Sequence, residues 1–242
     1  MKHRPLKRYS PLKSWMLLVL LLGISVVAWG QHAVDLPRND DYVEIPNPLP
    51  EGSRALTVEA WINLKGLVGS DIFAGQATLG VNDPLTNVWN LQIMLSDTSV
   101  IISQFQLYDS GGEKNMVFFA RSRRNQIRPT WNHFALVVDE FQSSFYMNGV
   151  SLRGYSGNVV LSSSLNFNPS SIIRLGQDPR FPSYPQLSSS CTWDEFRVWN
   201  IFRSAAEIRE YMYKVLDGDE PGLVHYSKFE EGAGDSSYSL VG

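Results

Sequence analysis

The feature that most constrains the fold is a strict alternation of side-chain types between residues 56 and 64. Every second residue there is apolar, and these residues are Leu56, Val58, Ala60, Ile62 and Leu64. Successive side chains of a β-strand point to opposite faces, so this spacing predicts a strand with one face in a core.

Short β-prone stretches continue along the chain, separated by clusters of Gly, Pro, Asn, Asp and Ser. The predicted strands cover residues 42–46, 71–75, 88–95, 100–107, 116–121, 131–139, 144–147, 172–176, 192–199 and 223–229. The Asn148-Gly149 pair between two such stretches is typical of a two-residue hairpin turn. The polar connections 109–115 and 177–190 are predicted to be surface loops, where binding residues usually lie.

One helix is predicted, late in the chain. Ser204 followed three residues later by Glu207 is a capping-box pattern, and Gly218 or Pro221 would end the helix. Its apolar stripe would consist of Ile208, Met212 and Val215. Many short strands with one helix predict an all-β fold, a two-sheet antiparallel sandwich or jelly roll forming one domain over residues 31–242.

The first thirty residues are set apart by their composition. A basic head without acids, an apolar run over residues 16–27 and small residues at Ala28 and Gly30 predict a secretory signal cleaved before Gln31. The mature protein would then be secreted, periplasmic or displayed at the cell surface. The alternative is an uncleaved signal that anchors the chain in the membrane.

The remaining chain is strongly acidic. Removing the leader removes five of the 21 basic residues and none of the 24 acidic ones, which leaves a net charge of −8. Such a chain lacks the excess of positive charge that would attract nucleic acid or an anionic membrane surface. Its one cysteine, Cys191, has no internal disulfide partner and is predicted to be a small buried apolar side chain.

Several motifs, in the order found here, resemble those of laminin-G-like modules with a concanavalin A-like jelly-roll fold. They are 40–46 (DDYVEIP) with 56–62 (LTVEAWI), 131–135 (WNHFA) with 145–149 (FYMNG), 175–176 (LG), 193–200 (WDEFRVWN) with the helix at 204–212, and 218–226 (GDEPGLVHY). The last of these resembles the pentraxin-like branch, and the resemblance covers residues 34–235. It implies two stacked antiparallel sheets in a module that binds glycans or proteins outside the cell and often holds calcium. Such modules usually run on beyond residues 235–242, so we expect a single-module protein or a shortened version of a longer one.

Enzymes with this fold include retaining glycoside hydrolases, which need two carboxyl groups about 5 Å apart. Their E-x-D-x-x-E spacing is absent from this sequence. The adjacent acids at 139–140 and 194–195 would point to opposite faces of a strand and would not cooperate. His133 lies in a strand pattern and is predicted to be structural. We therefore expect no catalytic residues, and hydrolysis is the third-ranked function.

Calcium is the metal ion that the sequence and the resemblance favour. The candidate ligands are Asp40 and Asp41 before an early strand, and Asp194 and Glu195 near the last one. The resemblance implies that these strands lie side by side, which would bring the two acidic pairs together. The alternative, which is the favoured interpretation of these residues, is that Asp40 and Asp41 form a turn while Glu195 pairs with Arg197.

Sugar binding would use aromatic rings in or beside loops, helped by polar side chains. The candidates for ligand binding are Trp89, Tyr108, Arg180, Phe181 and Tyr184, with Tyr155 as a further aromatic residue. Three of them lie in the 177–190 connection, which is the predicted recognition loop. For each ring taken singly, partly buried packing is the favoured interpretation, because this fold buries many aromatic side chains.

Together these patterns predict a secreted or cell-surface binding module. Carbohydrate recognition or adhesion without catalysis is the leading function, with an extracellular glycan as partner. The alternative is a protein-interaction or structural module of a surface assembly, with a surface protein as partner.

Overall fold

A computed structural model describes most of the chain beyond the predicted leader. The described residues are 32–38, 40–65, 70–78, 87–95, 99–108, 114–123, 127–128, 130–139, 141–156, 170–180, 182–183 and 191–241. They belong to one compact unit, His32–Gly242.

The described residues form fourteen strands and one helix. The strands are β1 (Val34–Leu36), β2 (Val43–Pro46), β3 (Leu56–Asn63), β4 (Ser70–Thr78), β5 (Asn87–Leu95), β6 (Ser99–Tyr108), β7 (Lys114–Arg123), β8 (Trp131–Val138), β9 (Ser143–Met147), β10 (Val150–Ser151), β11 (Arg153–Ser156), β12 (Ser171–Leu175), β13 (Cys191–Trp199) and β14 (Leu223–Ser227). The helix is α1 (Ala205–Tyr211).

The strands make two antiparallel sheets of seven strands each. Sheet A runs β1-β13-β3-β8-β9-β10, with β14 also paired to β13, and sheet B runs β11-β7-β6-β5-β4-β12-β2. The predicted all-β two-sheet sandwich is therefore confirmed.

The alternation in β3 places its apolar residues in the main core, as the sequence predicted. Leu56 and Ile62 are fully buried there beside residues of sheet B such as Ile173. The opposite face of β3 is buried too: Thr57 and Glu59 have no exposed surface. This second face is covered because the chain around α1 packs over it, as the contact between the Thr57 hydroxyl and the Ile201 carbonyl (2.8 Å) shows.

A β-bulge in β13 overturns the simple alternation expected for residues 191–200. Asp194 pairs with Trp61 and Arg197 pairs with Glu59, so β13 has one more residue than β3 between these pairs. Glu195 adopts a positive φ of 54° at this point. The extra residue reverses the parity of the strand, so Trp193 and Phe196 both face the main core.

The hairpin at Asn148-Gly149 has the predicted turn. Both residues have positive φ, 52° and 74°, as a type I′ turn requires. The turn joins β9 to β10. Val150 and Ser151 of β10 pair with Met147 and Tyr146 of β9.

Helix α1 begins as predicted but is shorter. Ser204 is the N-cap, and both hydrogen bonds of the capping box with Glu207 are present. The helix ends at Tyr211 with Met212 as C-cap, well before the predicted glycine or proline. Val215, expected in the apolar stripe, is 57% exposed, because the chain has left the helix by that position.

Candidate functional site

A cleft of about 1010 Å³ lies where the two sheets end on the same side of the sandwich. One wall comes from β1 and β14, which both pair with β13. The opposite wall comes from β2, the outermost strand of sheet B. Residues 229–241, here called the C-terminal segment, contribute the rim, and we call the whole feature the edge cleft. Its volume matches that of ligand-binding pockets.

The edge cleft combines an apolar floor with polar walls. Leu36, Ile45 and Phe229 line it and belong to the main core. Val34, Val43 and Val224 also line it and pack against that core. The cleft therefore offers both apolar contact and polar groups to a ligand.

Tyr42 is the exposed aromatic residue of the β2 wall. It lines the cleft, is 45% exposed, and stacks on Arg174, whose guanidinium carbon lies 3.9 Å from the ring centroid. Arg174 is nearly fully buried and is fixed by Glu44, since its Nη2 lies 2.9 Å from Glu44 Oε2. The ring therefore lies against a guanidinium that is itself fixed by an ion pair.

Arg174 also connects the cleft to the start of the predicted recognition loop. Its Nη1 donates to Gln177 Oε1 at 2.5 Å, and Gln177 Nε2 donates to the Pro182 carbonyl. Next to it, Asp178 accepts hydrogen bonds from the backbone N–H and the guanidinium of Arg180. The structure thus places Arg180 beside β12, paired with a buried carboxylate.

Hydrogen bonds at Tyr226 join the C-terminal segment to β14. The Leu240 N–H donates to the Tyr226 carbonyl at 2.9 Å, and the Tyr226 N–H donates to Ser239 Oγ at 3.3 Å. Within the segment, Glu231 accepts from the Tyr238 N–H and the Ser237 hydroxyl. Partial burial opposes ionisation of Glu231, but hydrogen bonds outweigh it and lower its pKa.

The remaining sugar-binding candidates differ in their outcome. Trp89 is only 1% exposed and donates from Nε1 to Gln76 Oε1 at 2.9 Å, so its predicted role as an exposed stacking ring is wrong. It fills the core because β5 turns that side toward sheet A. Phe181 and Tyr184 lie outside the described residues. Tyr108 is the last residue of β6, and its side chain lies outside the described part.

The two acidic pairs proposed for calcium lie at opposite ends of β1. Val34 pairs with Trp193 and Leu36 pairs with Cys191, so β1 and β13 are antiparallel. Asp40 therefore lies beyond the Leu36 end of β1, and Asp194 lies beyond the Val34 end. Asp41 forms a turn with Arg38, accepting from its Nη2 at 2.7 Å, while Asp40 is 71% exposed. Glu195 pairs with Arg197 at 2.5 Å. This is the geometry of the alternative interpretation, a turn and an ion pair.

Asp194 is a partly buried carboxyl group that accepts a hydrogen bond from the Glu195 backbone N–H. Burial, helped by the nearby charges of Glu195 and Glu230, raises its pKa to about 7. Calcium needs six to eight oxygen ligands. Within the described ranges no group of three or more His, Cys, Asp or Glu side chains is arranged to hold a metal ion. The predicted calcium ion stays a prediction.

Beneath α1 lies a second polar cluster, which sequence reasoning missed. Glu59 is fully buried, with Oε1 2.9 Å from Arg203 Nη1 and Oε2 3.5 Å from His133 Nε2. Burial and the two nearby arginines, Arg197 and Arg203, lower the pKa of His133 to about 3, so the imidazole is neutral. The cluster is closed to solvent, and it anchors α1 to sheet A.

Tyr42 and its ion-paired support were also missed as site residues. The sequence places Tyr42 and Glu44 on the same side of β2, two positions apart, which is the available signal. The partner Arg174 is 130 residues from Glu44, and only the pairing of β2 with β12 brings them together.

The fold and the cleft at its edge define the class of protein as a concanavalin A-like jelly-roll sandwich. The chain belongs to the Laminin_G_3 family, of the concanavalin A-like lectin/glucanases superfamily, whose model matches residues 37–209. The resemblance inferred from the sequence motifs is thereby confirmed.

Solved structures share this fold at low sequence identity. A "putative carbohydrate binding protein" from Bacteroides ovatus aligns with a TM-score of 0.57 and 19% identity, over 82% of this chain and 52% of that one. The chain thus spans about half the length of that protein. A heptameric SAP-like pentraxin from Limulus polyphemus aligns at 0.52 and 16%, over 82% of this chain and 84% of that one. At these identities the likeness shows the fold alone.

Enzymes occur among the similar structures as well. Trypanosoma rangeli sialidase aligns with a TM-score of 0.44 and 19% identity, over 65% of this chain and 22% of that one. No curated protein sequence matches this chain significantly. In the part of the chain that the structure describes, no helix is long and apolar enough to cross a membrane.

Proposed function

We propose that this protein is a carbohydrate-recognition module that works outside the cytoplasm and binds glycans in the edge cleft without hydrolysing them. The observation that carries the proposal is the orientation of Tyr42, an exposed ring held by the buried, ion-paired Arg174 at the mouth of a large cleft. Aromatic rings fixed in this way give ligand contact area at little cost in conformational entropy.

The composition of the cleft supports a sugar ligand. Apolar floor residues offer contact for C–H groups, while the Glu44 carboxylate on the β2 wall offers an acceptor for hydroxyl groups. The Asn47 amide next to β2 offers an N–H donor, since its Oδ1 already accepts from Leu49 and Gln76. Two of the similar structures, a protein with carbohydrate binding in its description and a pentraxin, share the fold. The predicted secretory leader places such a module where extracellular glycans are found.

The carboxyl groups of the cleft favour binding over hydrolysis. A general acid must hold its proton, and this requires a raised pKa. Hydrogen bonds from Arg38 lower the pKa of Asp41, and the pKa of Glu231 is lowered too. Asp35 and Glu44 are ion-paired with Lys65 and Arg174. With lowered pKa values, Asp41 and Glu231 are not set up as proton donors.

A glycan array followed by calorimetry on the best ligand tests the proposal. Tyr42→Ala removes the stacking ring and should weaken binding by about tenfold, a loss of about 1.4 kcal/mol. Tyr42→Phe keeps the ring and its contact with Arg174 and should retain most of the affinity. Phe141→Ala is the matched control, since Phe141 is an aromatic residue 75% exposed outside the cleft lining.

Three results separate this function from its alternatives. Absence of binding across a broad array would favour the protein-interaction module. Binding that Tyr42→Ala leaves unchanged would place the glycan outside the edge cleft. Release of reducing ends from a bound oligosaccharide would show hydrolysis and contradict the assignment as a binding module.

A further inference from the structure

Apart from His32 and His225, the charged side chains that line the edge cleft are all carboxyl groups. Its described lining residues include no lysine and no arginine. They include five carboxyl groups, those of Asp35, Asp41, Glu44, Glu231 and Asp235. Arg38, which pairs with Asp41, is itself exposed beside the cleft, so the acidic excess rests on the carboxyl groups that have no ion pair.

Three of these carboxylates are already compensated. Asp35 pairs with Lys65, Asp41 with Arg38 and Glu44 with Arg174. Glu231 and Asp235 are different. Both are exposed residues of the C-terminal segment, and in the described part of the chain neither forms an ion pair. The excess negative charge of the cleft is therefore concentrated on that rim.

We propose that the edge cleft selects its glycan by charge, favouring sugars with unsubstituted amino groups and rejecting sugars that carry carboxylate or sulfate groups. This inference rests on the proposed function and names the substrate class for the same site. An ammonium group near Glu231 and Asp235 gains Coulomb energy that a neutral acetamide does not. An acidic sugar finds no cation on the described walls and is repelled by the same two groups.

The experiment compares three oligosaccharides of equal length by calorimetry at low and high salt. They are a glucosamine oligomer, its fully N-acetylated form and an oligomer of a uronic acid. The amino form should bind about threefold to tenfold more tightly than the acetylated form at low salt. This preference should shrink at high salt, since exposed charges are screened. The uronic acid oligomer should bind most weakly.

A pair of double variants isolates the cause. Glu231→Gln with Asp235→Asn should narrow the gap between the amino and acetylated oligomers to less than twofold. Glu210→Gln with Asp219→Asn changes the net charge equally at exposed residues outside the cleft lining and should leave the gap as it was.

The outcomes distinguish this inference from the function on which it rests. Equal affinity for the amino and acetylated oligomers, or tight binding of the uronic acid oligomer, overturns the charge selection and leaves glycan binding standing. Failure of all three sugars, with positive results elsewhere on the array, overturns the charge selection only. Failure of every glycan overturns both.

Discussion

At the scale of single residues, the face of sheet A under α1 contains buried charged side chains. Glu59 lies fully buried between Arg203 and His133, and Arg203 also stacks 3.9 Å over the ring of Trp199. Burial raises the pKa of Glu59, and the guanidinium groups of Arg203 and Arg197 oppose that rise, so the ionised carboxylate depends on the cation beside it. The pairing explains how a glutamate can occupy an interior position of the central strand β3.

Arg203→Met tests this compensation. It leaves Glu59 without its cation and should lower the free energy of unfolding by about 3–5 kcal/mol. Urea denaturation gives the value. Arg209→Met, on an arginine exposed on α1, should cost less than about 1 kcal/mol. The double variant Arg203→Met with Glu59→Gln should recover part of the loss, and a double variant no better than the single one would contradict the ion-pair explanation.

Asp194 gives the fold a pH dependence of defined sign. The pKa of Asp194 is about 7 in the folded chain and 3.8 when unperturbed, so the unfolded chain releases this proton first as the pH rises. Stability therefore falls between about pH 4 and pH 7 and stays lower above that range. Asp194→Asn cannot titrate and should be more stable than the wild type at pH 8, by about 1–2 kcal/mol given its partial exposure.

Urea midpoints measured at pH 5 and pH 8 check this, with Asp219→Asn as an exposed control. The advantage of Asp194→Asn should grow between pH 5 and pH 8. An equal effect at both pH values would show that the pKa of Asp194 is not raised.

At the scale of elements, short local motifs decide where strands and the helix end. The capping box of Ser204 and Glu207 starts α1, and the Asn148-Gly149 turn joins β9 to β10. These motifs act through neighbouring backbone groups, so they are readable in the sequence. The bulge of β13 cannot be read from the sequence, because no local motif around Glu195 requires its positive φ. The pairing of β13 with β3, and the contacts of Glu195 with Arg197 and Tyr226, hold it.

Gly149→Ala probes the hairpin at its tightest position. Gly149 has a φ of 74°, and an added Cβ would lie 2.6 Å from Arg209 Cγ on α1. We expect a loss of about 1–2 kcal/mol of unfolding free energy, from backbone strain and from this clash. Gly52→Ala is the control, since Gly52 also has a positive φ but an open surrounding. Similar losses at both positions would show that the contact with α1 contributes nothing.

At the scale of the whole molecule, the cleft exists because both sheets end on the same side. Among the described residues, strands β1, β2 and β14 are each paired with one neighbouring strand. Charges and ring faces that collect there come from both ends of the described chain.

Calcium, predicted from the resemblance, is tested on the whole protein. A bound ion should raise the melting temperature with calcium concentration, and no difference from a chelator-treated sample would contradict it.

The sequence by itself determined the sandwich, because period-two stretches, turn residues and the helix cap are local physical constraints. It missed β1, β10 and β11, which have three, two and four residues, too few for a period to show. Only the tertiary structure decided the candidate site. Tyr42, Arg174 and Glu231 lie far apart in the chain, and Trp89 reads as a surface ring until sheet pairing buries it. The pattern of a strand shows which face of the sheet a residue occupies. It does not show which distant strand covers that face, or whether the face stays open.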